Sequence, residues 1–158
     1  MILLQEMTEA DFAKYKPFVV EDYAQDLARN YRTTIEEARL NSARQTDELL
    51  SQGLATPMHF LFNIVSTEDQ LEQRVGYLWI KVDEEKKSCF IFDIYLFEAF
   101  RGRGYGRNTL ELLETRMLEM NVVRIGLHVF AHNTHARELY SKMGYELTGH
   151  SMQKWLVD

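Results

Sequence analysis

Between Asp93 and Asn108 the chain reads Asp-Ile-Tyr-Leu-Phe-Glu-Ala-Phe-Arg-Gly-Arg-Gly-Tyr-Gly-Arg-Asn. Gly102, Gly104 and Gly106 alternate with Arg101, Arg103, Tyr105 and Arg107, directly after an apolar run and directly before a helical pattern. These residue types can build a phosphate cradle. Alternate glycines let backbone N–H groups approach an anion, the following helix adds the positive end of its dipole, and arginines balance the remaining charge. Two familiar phosphate loops fail on residues. A dinucleotide fingerprint starting at Gly102 needs glycine where Arg107 stands, and a P-loop needs a terminal Gly-Lys-Ser/Thr that is absent.

Other reactive side chains are isolated. Asp93 is a carboxylate in an otherwise apolar run, readable as a buried structural acceptor or as a base acting directly or through water. Cys89, the one cysteine, has no adjacent base and reads as a small core residue. His132-x-x-His135 offers two metal ligands without a third, so no metal is expected, and no Gly-x-Ser-x-Gly elbow is present.

The elements that must hold these residues follow from periodicity. Ile2 to Met7 reads as a strand and Thr8 to Asp11 as a capping box. Phe12, Tyr15, Val19, Tyr23 and Leu27 keep helical spacing, with Pro17 predicted to end, kink or restart the helix. Thr33 and Thr34 precede Glu36 and Glu37 by three residues and open a second helix reaching Leu50, stopped by Gly53 and Pro57. Met58 to Val65, Arg74 to Val82 and Ser88 to Phe97 read as an antiparallel meander, the third and most apolar strand being expected at the centre. A helix carrying Leu110, Leu113, Met117 and Met120 leads to a strand from Val122 to Phe130. That crossover makes the flanking strands parallel, with the glycine loop at their carboxyl ends. Asn133 is the expected N-cap of a helix with Ala136, Leu139, Tyr140 and Met143 on one face and Gly144 at its end. Tyr145 to Leu156 should supply one or two final strands.

With 158 residues, 46% of them hydrophobic and 27% charged, the chain fits one domain spanning residues 1–158. A net charge of −6 argues against a general nucleic-acid or membrane-surface binder. A single cysteine excludes an internal disulfide. No signal-peptide pattern or membrane-length apolar run is present, so a cytoplasmic location is expected, as a monomer or homodimer.

Arg101-x-x-Gly104-x-Gly106 and, downstream, Asn133-x-x-Ala136-x-x-Leu139-Tyr140-x-x-x-Gly144-Tyr145 resemble the two sequence patterns of the Gcn5-related N-acetyltransferase (GNAT) superfamily. The resemblance implies an α/β fold in β-α-α-β-β-β-α-β-α-β order, with a mixed, splayed sheet flanked by helices. It also implies acetyl-CoA as cosubstrate and transfer of the acetyl group to a primary amine by direct attack in a ternary complex. Loop amides from Arg103 to Arg107 would bind the pyrophosphate, with Arg101 and Gly102 shaping the approach. The strand end at Tyr95, Leu96 and Phe97 would pair with the pantetheine arm, and Asn133 would touch that arm from the other side.

That chemistry has two proton problems. An alkyl ammonium with a pKa near ~10.4 is neutral in about one molecule in a thousand at pH 7, whereas a thiol with a pKa near ~8.5 is a fair leaving group. Tyr140 matches the family's general-acid tyrosine, its alternative being a core aromatic. Phe90 and Phe92 stand nearest the strand positions where some members carry a base, and neither accepts a proton. His128, five residues before Asn133, occupies another such position; it and Asp93 are the candidate bases, each with a structural alternative. Tyr23, Tyr31, His59 and Trp79 are candidates to line the acceptor site. Glu21, Asp22, Asp26, Glu36 and Glu37 favour a cationic acceptor or form a solvated face. A non-catalytic acyl-CoA sensor is the alternative function.

Overall fold

The computed structural model describes residues 1–158. Its sheet is built from β1 (Ile2–Glu6), β2 (His59–Ser66), β3 (Gln73–Asp83), β4 (Ser88–Leu96) and β5 (Arg124–Leu127), in that spatial order. The first four strands are antiparallel and β5 runs parallel to β4. Helix α1 (Glu9–Asn30) and α2 (Ile35–Leu49) precede β2, α3 (Tyr105–Glu119) joins β4 to β5, and α4 (Thr134–Lys142) follows. β3, rather than β4, is the middle strand; alternation along it buries Leu78 and Ile80 on one face and Tyr77 and Trp79 on the other. The first set packs with Leu110, Leu113 and Met117 of α3, the second with Tyr15 and Val19 of α1.

The capping expectations hold at α1, where Thr8 accepts from the Asp11 N–H at 3.1 Å and the Asp11 carboxylate accepts from the Thr8 N–H at 3.0 Å. Pro17 does not end the helix. α1 runs through it because Tyr15 and Val19 anchor both sides of the proline in the sheet-facing core, which offsets the lost backbone bond. Pro17 instead lines a groove of 340 Å³ between α1 and α2, away from the glycine loop.

Two features open the sheet between β4 and β5. The strands pair only from Ser88↔Arg124 to Ile91↔Leu127, so Phe92 to Leu96 have no strand partner on that side. The expected strand to Phe130 stops at Leu127, because Phe130 is buried among Ala24, Leu27 and Ala38 of α1 and α2, drawing the chain away from β4. On the other side β4 is held close to β3, since a Cβ at Gly76 would lie 2.0 Å from the Tyr95 carbonyl oxygen. Gly76→Ala is therefore expected to displace backbone and destabilise by about 3 kcal/mol, roughly a 10 °C fall in Tm on thermal unfolding.

The final strands expected between Tyr145 and Leu156 are not formed; residues 145–158 carry no helix or strand. A strand exists only through pairing, and this segment lies instead across the end of α1. Gln153 Nε2 donates to the Asn30 carbonyl at 3.0 Å and Arg32 Nη1 to the Val157 carbonyl at 2.8 Å.

Candidate active site

The glycine loop emerges at the carboxyl end of β4, beside the open split. Gly102 and Gly104 have φ of 75° and 82°, the left-handed region that glycine enters without strain, and a Cβ at either would meet only open space. The loop face is thus uncovered by the protein's own side chains. Gly104 is the N-cap of α3, and the first helical bond runs from the Asn108 N–H to its carbonyl. The amides of Tyr105, Gly106 and Arg107 precede that bond and have no intrahelical acceptor. Gly106 serves packing: its absent Cβ would lie 3.2 Å from Leu139 and 3.6 Å from Leu96. That contact seats the start of α3 against both α4 and the end of β4.

The arginines divide. Arg101 Nε donates to the Leu96 carbonyl at 2.9 Å and its guanidinium lies 5.1 Å from the Tyr95 ring centre, so it clips the loop to the strand end. Arg103 sits over the Phe100 ring at 5.6 Å, and Arg107 pairs with Glu111 one helical turn on, at 3.1 Å. Phe97 packs edge-on against Tyr77. Asn133 occupies the N-cap position of α4, but its side chain makes no capping bond, contrary to expectation. Its amide is left available to another partner. The cradle residues thus offer free amides, uncovered glycines and an unpaired strand edge, which fits a pyrophosphate joined to an extended amide-bearing arm.

A bulge decides which side chains share a face at the centre of β4. Trp79 pairs with Asp93 and Ile80 with Ile91, leaving Phe92 as the extra residue. Phe92 and Asp93 then fall on the same face, Phe92 stacked on Trp79 at 4.8 Å and Asp93 accepting from the Tyr15 hydroxyl at 2.6 Å. Tyr15 is fully buried, and burial followed by the Asp93 charge raises its pKa. Asp93 is pushed up to about 7: desolvation dominates, the Tyr15 hydrogen bond opposes it, and the negative charges of Asp22 and Asp26 add to it. Asp22 is pushed up to about 6 by burial and by Asp26, against the pull of Arg101. Tyr140 reaches the same region from α4, with its pKa raised to about 12 by burial and then by Asp93. Asp93 is thus hydrogen-bonded to α1, and its charge is felt by Tyr140 of α4.

His128 is not brought into this group. It lies exposed beyond β5 with its ring edge-on to Phe130 at 4.9 Å, and no hydrogen bond joins it to Asp93 or Tyr140. His132 bonds Asp26 of α1 at 2.8 Å while His135 is exposed, so the two histidines do not act together. Cys89 is buried, and that burial pushes its thiol up to about 12, which suits a core residue and not a nucleophile. Among the acceptor-site candidates, Tyr31 is exposed and Tyr23 packs 6.1 Å from Phe130. His59 Nδ1 accepts from Trp79 Nε1 at 3.0 Å, and burial lowers the pKa of that imidazole. Sequence reasoning missed Tyr15, whose helical spacing is indistinguishable from that of the core aromatics around it.

Comparison with known proteins agrees with this geometry. A model of the Acetyltransferase (GNAT) family matches residues 17–145. YdgE of Bacillus subtilis, described as an uncharacterized N-acetyltransferase, is 37% identical over 155 residues, 97% of each chain. YycN of the same organism, described in the same words, is 34% identical over 157 residues, 98% of this chain and 99% of its own. Its crystal structure matches with a TM-score of 0.93 over 100% of both chains. The structure of AAC(6')-Iy with the bisubstrate analog CoA-S-monomethyl-acetylneamine shares the fold, at a TM-score of 0.58 and 11% identity over 100% of this chain and 99% of that one. A family match across most of the chain, with full-length relatives and a split sheet carrying the glycine cradle, places the protein in the GNAT family, as an acetyltransferase that uses acetyl-CoA.

Proposed function

We propose that residues 1–158 act as one domain that acetylates a primary amine by direct attack in a ternary complex, with Asp93 as the base and Tyr140 as the donor to the leaving sulfur. The observation that carries this reading is the bulge at Phe92, which turns Asp93 onto the face of Tyr15 and within electrostatic reach of Tyr140. Acetyl-CoA supplies an activated thioester carbon. Amides from Arg103 to Arg107 hold the pyrophosphate, Arg101 and Gly102 fix the loop to β4, and Tyr95 to Phe97 and Asn133 flank the pantetheine arm. Asp93 accepts a proton from the incoming ammonium, directly or through water. With a pKa near 7 it is about half ionised at neutral pH and far more basic than a free carboxylate.

Tyr140 keeps its proton on Oη and aims it at the charge developing on sulfur. Transfer from a phenol near 12 to a thiolate near ~8.5 would be uphill by about 5 kcal/mol, so its work is mainly electrostatic. The negative charge of Asp26 raises the cost of ionising Asp22, and both raise that of Asp93, so a cationic acceptor among them relieves it. The acceptor class that fits is a small amine bearing a second positive charge.

The test measures CoA release with monoamines, diamines, polyamines and peptides. Turnover above hydrolysis, at least tenfold faster in kcat/KM for diamines than for monoamines of equal length, is expected. CoA binding without acceptor-dependent thioester consumption would return the protein to the sensor reading, and equal rates for both amine classes would remove the carboxylates from acceptor selection.

A further inference from the structure

An aromatic surface lies on β4 just before Asp93. Phe90 pairs with Lys81 and Asp93 with Trp79, so with the bulge at Phe92 all three β4 residues project from the face on which Trp79 and α1 pack. Phe90 is 39% exposed and belongs to none of the core clusters. Its ring stands edge-on to Phe92 at 4.9 Å, and Phe92 lies nearly parallel to Trp79 at 4.8 Å and to His59 at 5.7 Å. The hydrogen bond from Trp79 Nε1 to His59 Nδ1, 3.0 Å long, ties the two supporting rings together. A lone exposed phenylalanine is ordinary, but this one ends a fixed stack that begins beside the candidate base.

The ring is left bare on its β5 side. The residue of β5 in register with Phe90 is Gly126, where an added Cβ would sit 3.7 Å from Phe90 Cδ2, an ordinary contact. Glycine weakens a strand, so its place here leaves a ring uncovered that a larger side chain would cover without a clash. Pairing between β4 and β5 ends one residue on, at Ile91, and the bare aromatic surface therefore adjoins the split. We infer that Phe90 and Phe92 form a subsite for the carbon body of the acceptor, selecting amines that carry an extended alkyl or aryl group beyond the reacting nitrogen. The inference rests on the acetyl transfer proposed above and adds to it the class of acceptor. Charge fixes the direction. Lys81, exposed and in register with both His59 and Phe90, sets a positive charge at the far end of the rings, so the apolar end of the acceptor lies there and not a second ammonium. Asp22 instead feels Arg101, which is bonded to the carboxyl end of β4, and a second cationic group belongs on that side.

The test compares CoA release by the full-length protein with propylamine, pentylamine, heptylamine and phenethylamine, which share one charge. Laying methylenes on one face of a ring is worth about twofold each, so kcat/KM for heptylamine is expected to exceed that for propylamine about tenfold. Phe90→Ser should reduce that ratio below about threefold with the far-UV spectrum of the parent, and Phe90→Leu, which restores apolar area, should recover about half of it. Gly126→Val fills the space beside the ring and should lower the ratio as well. A second readout needs no turnover. Trp155→Phe leaves Trp79 as the one remaining tryptophan of two, and its emission is titrated with propylamine and heptylamine in the presence of CoA. Heptylamine should bind about tenfold more tightly than propylamine, a preference that Phe90→Ser abolishes. That preference without turnover would keep the subsite and remove the transfer reading. Turnover indifferent to chain length, or a ratio unchanged by Phe90→Ser, would overturn the subsite and leave the transfer reading standing.

Discussion

Asp93→Asn is expected to lower kcat/KM by about 10²–10³-fold at pH 8, because the amide keeps the acceptor for Tyr15 but cannot take a proton from the amine. The fold should tolerate it. A carboxyl whose folded pKa is raised to about 7 from an unfolded value near ~3.9 contributes its full stability below pH ~3.9, and that contribution is lost as pH rises through 7. At pH 8 the wild type therefore carries a partly buried charge that the variant lacks, and the variant's Tm should equal or exceed the parent's. The wild-type kcat/KM should rise with pH through a limb near 7. Tyr15→Phe removes the hydrogen bond that favours the ionised carboxylate, so the same limb should move to higher pH with the KM for acetyl-CoA unchanged. Besides burial, the groups that set this limb are Tyr15, Asp22 and Asp26, all from α1, while Tyr140 of α4 feels the Asp93 charge in turn. Full activity of Asp93→Asn at pH 8 would exclude it as the base and return that role to His128 or to water.

Tyr140→Phe carries the second large effect. Loss of a preorganised donor aimed at developing charge costs about 10²-fold in kcat. Binding of acetyl-CoA should change less than about twofold, because in the proposed binding mode the loop amides and the β4 edge, not Tyr140, contact the donor. With the phenol near 12, no alkaline limb from this residue should appear below pH ~10 in the parent enzyme. Steady-state kinetics of both proteins across pH 6 to 10 decides it: unchanged turnover in the phenylalanine variant would leave Tyr140 as a core aromatic packed against Tyr145.

Local chemistry was legible where the cause is local. Thr8 and Asp11 formed their box, Gly102 and Gly104 took positive φ, and the crossover after the loop made β5 parallel to β4. Each depends on residues adjacent in the chain or on a general handedness rule. The end of β5 was misread because a tertiary contact outweighed the local signal, Phe130 drawing the strand off the sheet; at Pro17, where the sequence allowed a break or a bend, Tyr15 and Val19 held one helix through the proline.

By itself the sequence determined the glycine cradle, the order of elements through α4 and the family. Only the tertiary structure decided where the other candidate site residues lie. Strict alternation cannot place Asp93, because a bulge is a property of the pairing between two strands, and the extra residue at Phe92 exists only against Trp79 and Ile80. The partnership of Asp93 with Tyr15 spans 78 residues and joins two elements whose own patterns are apolar. For the same reason residues 145–158 did not become the strands their composition suggested. A strand takes its stability from a neighbour's edge, and these residues lie instead against the end of α1.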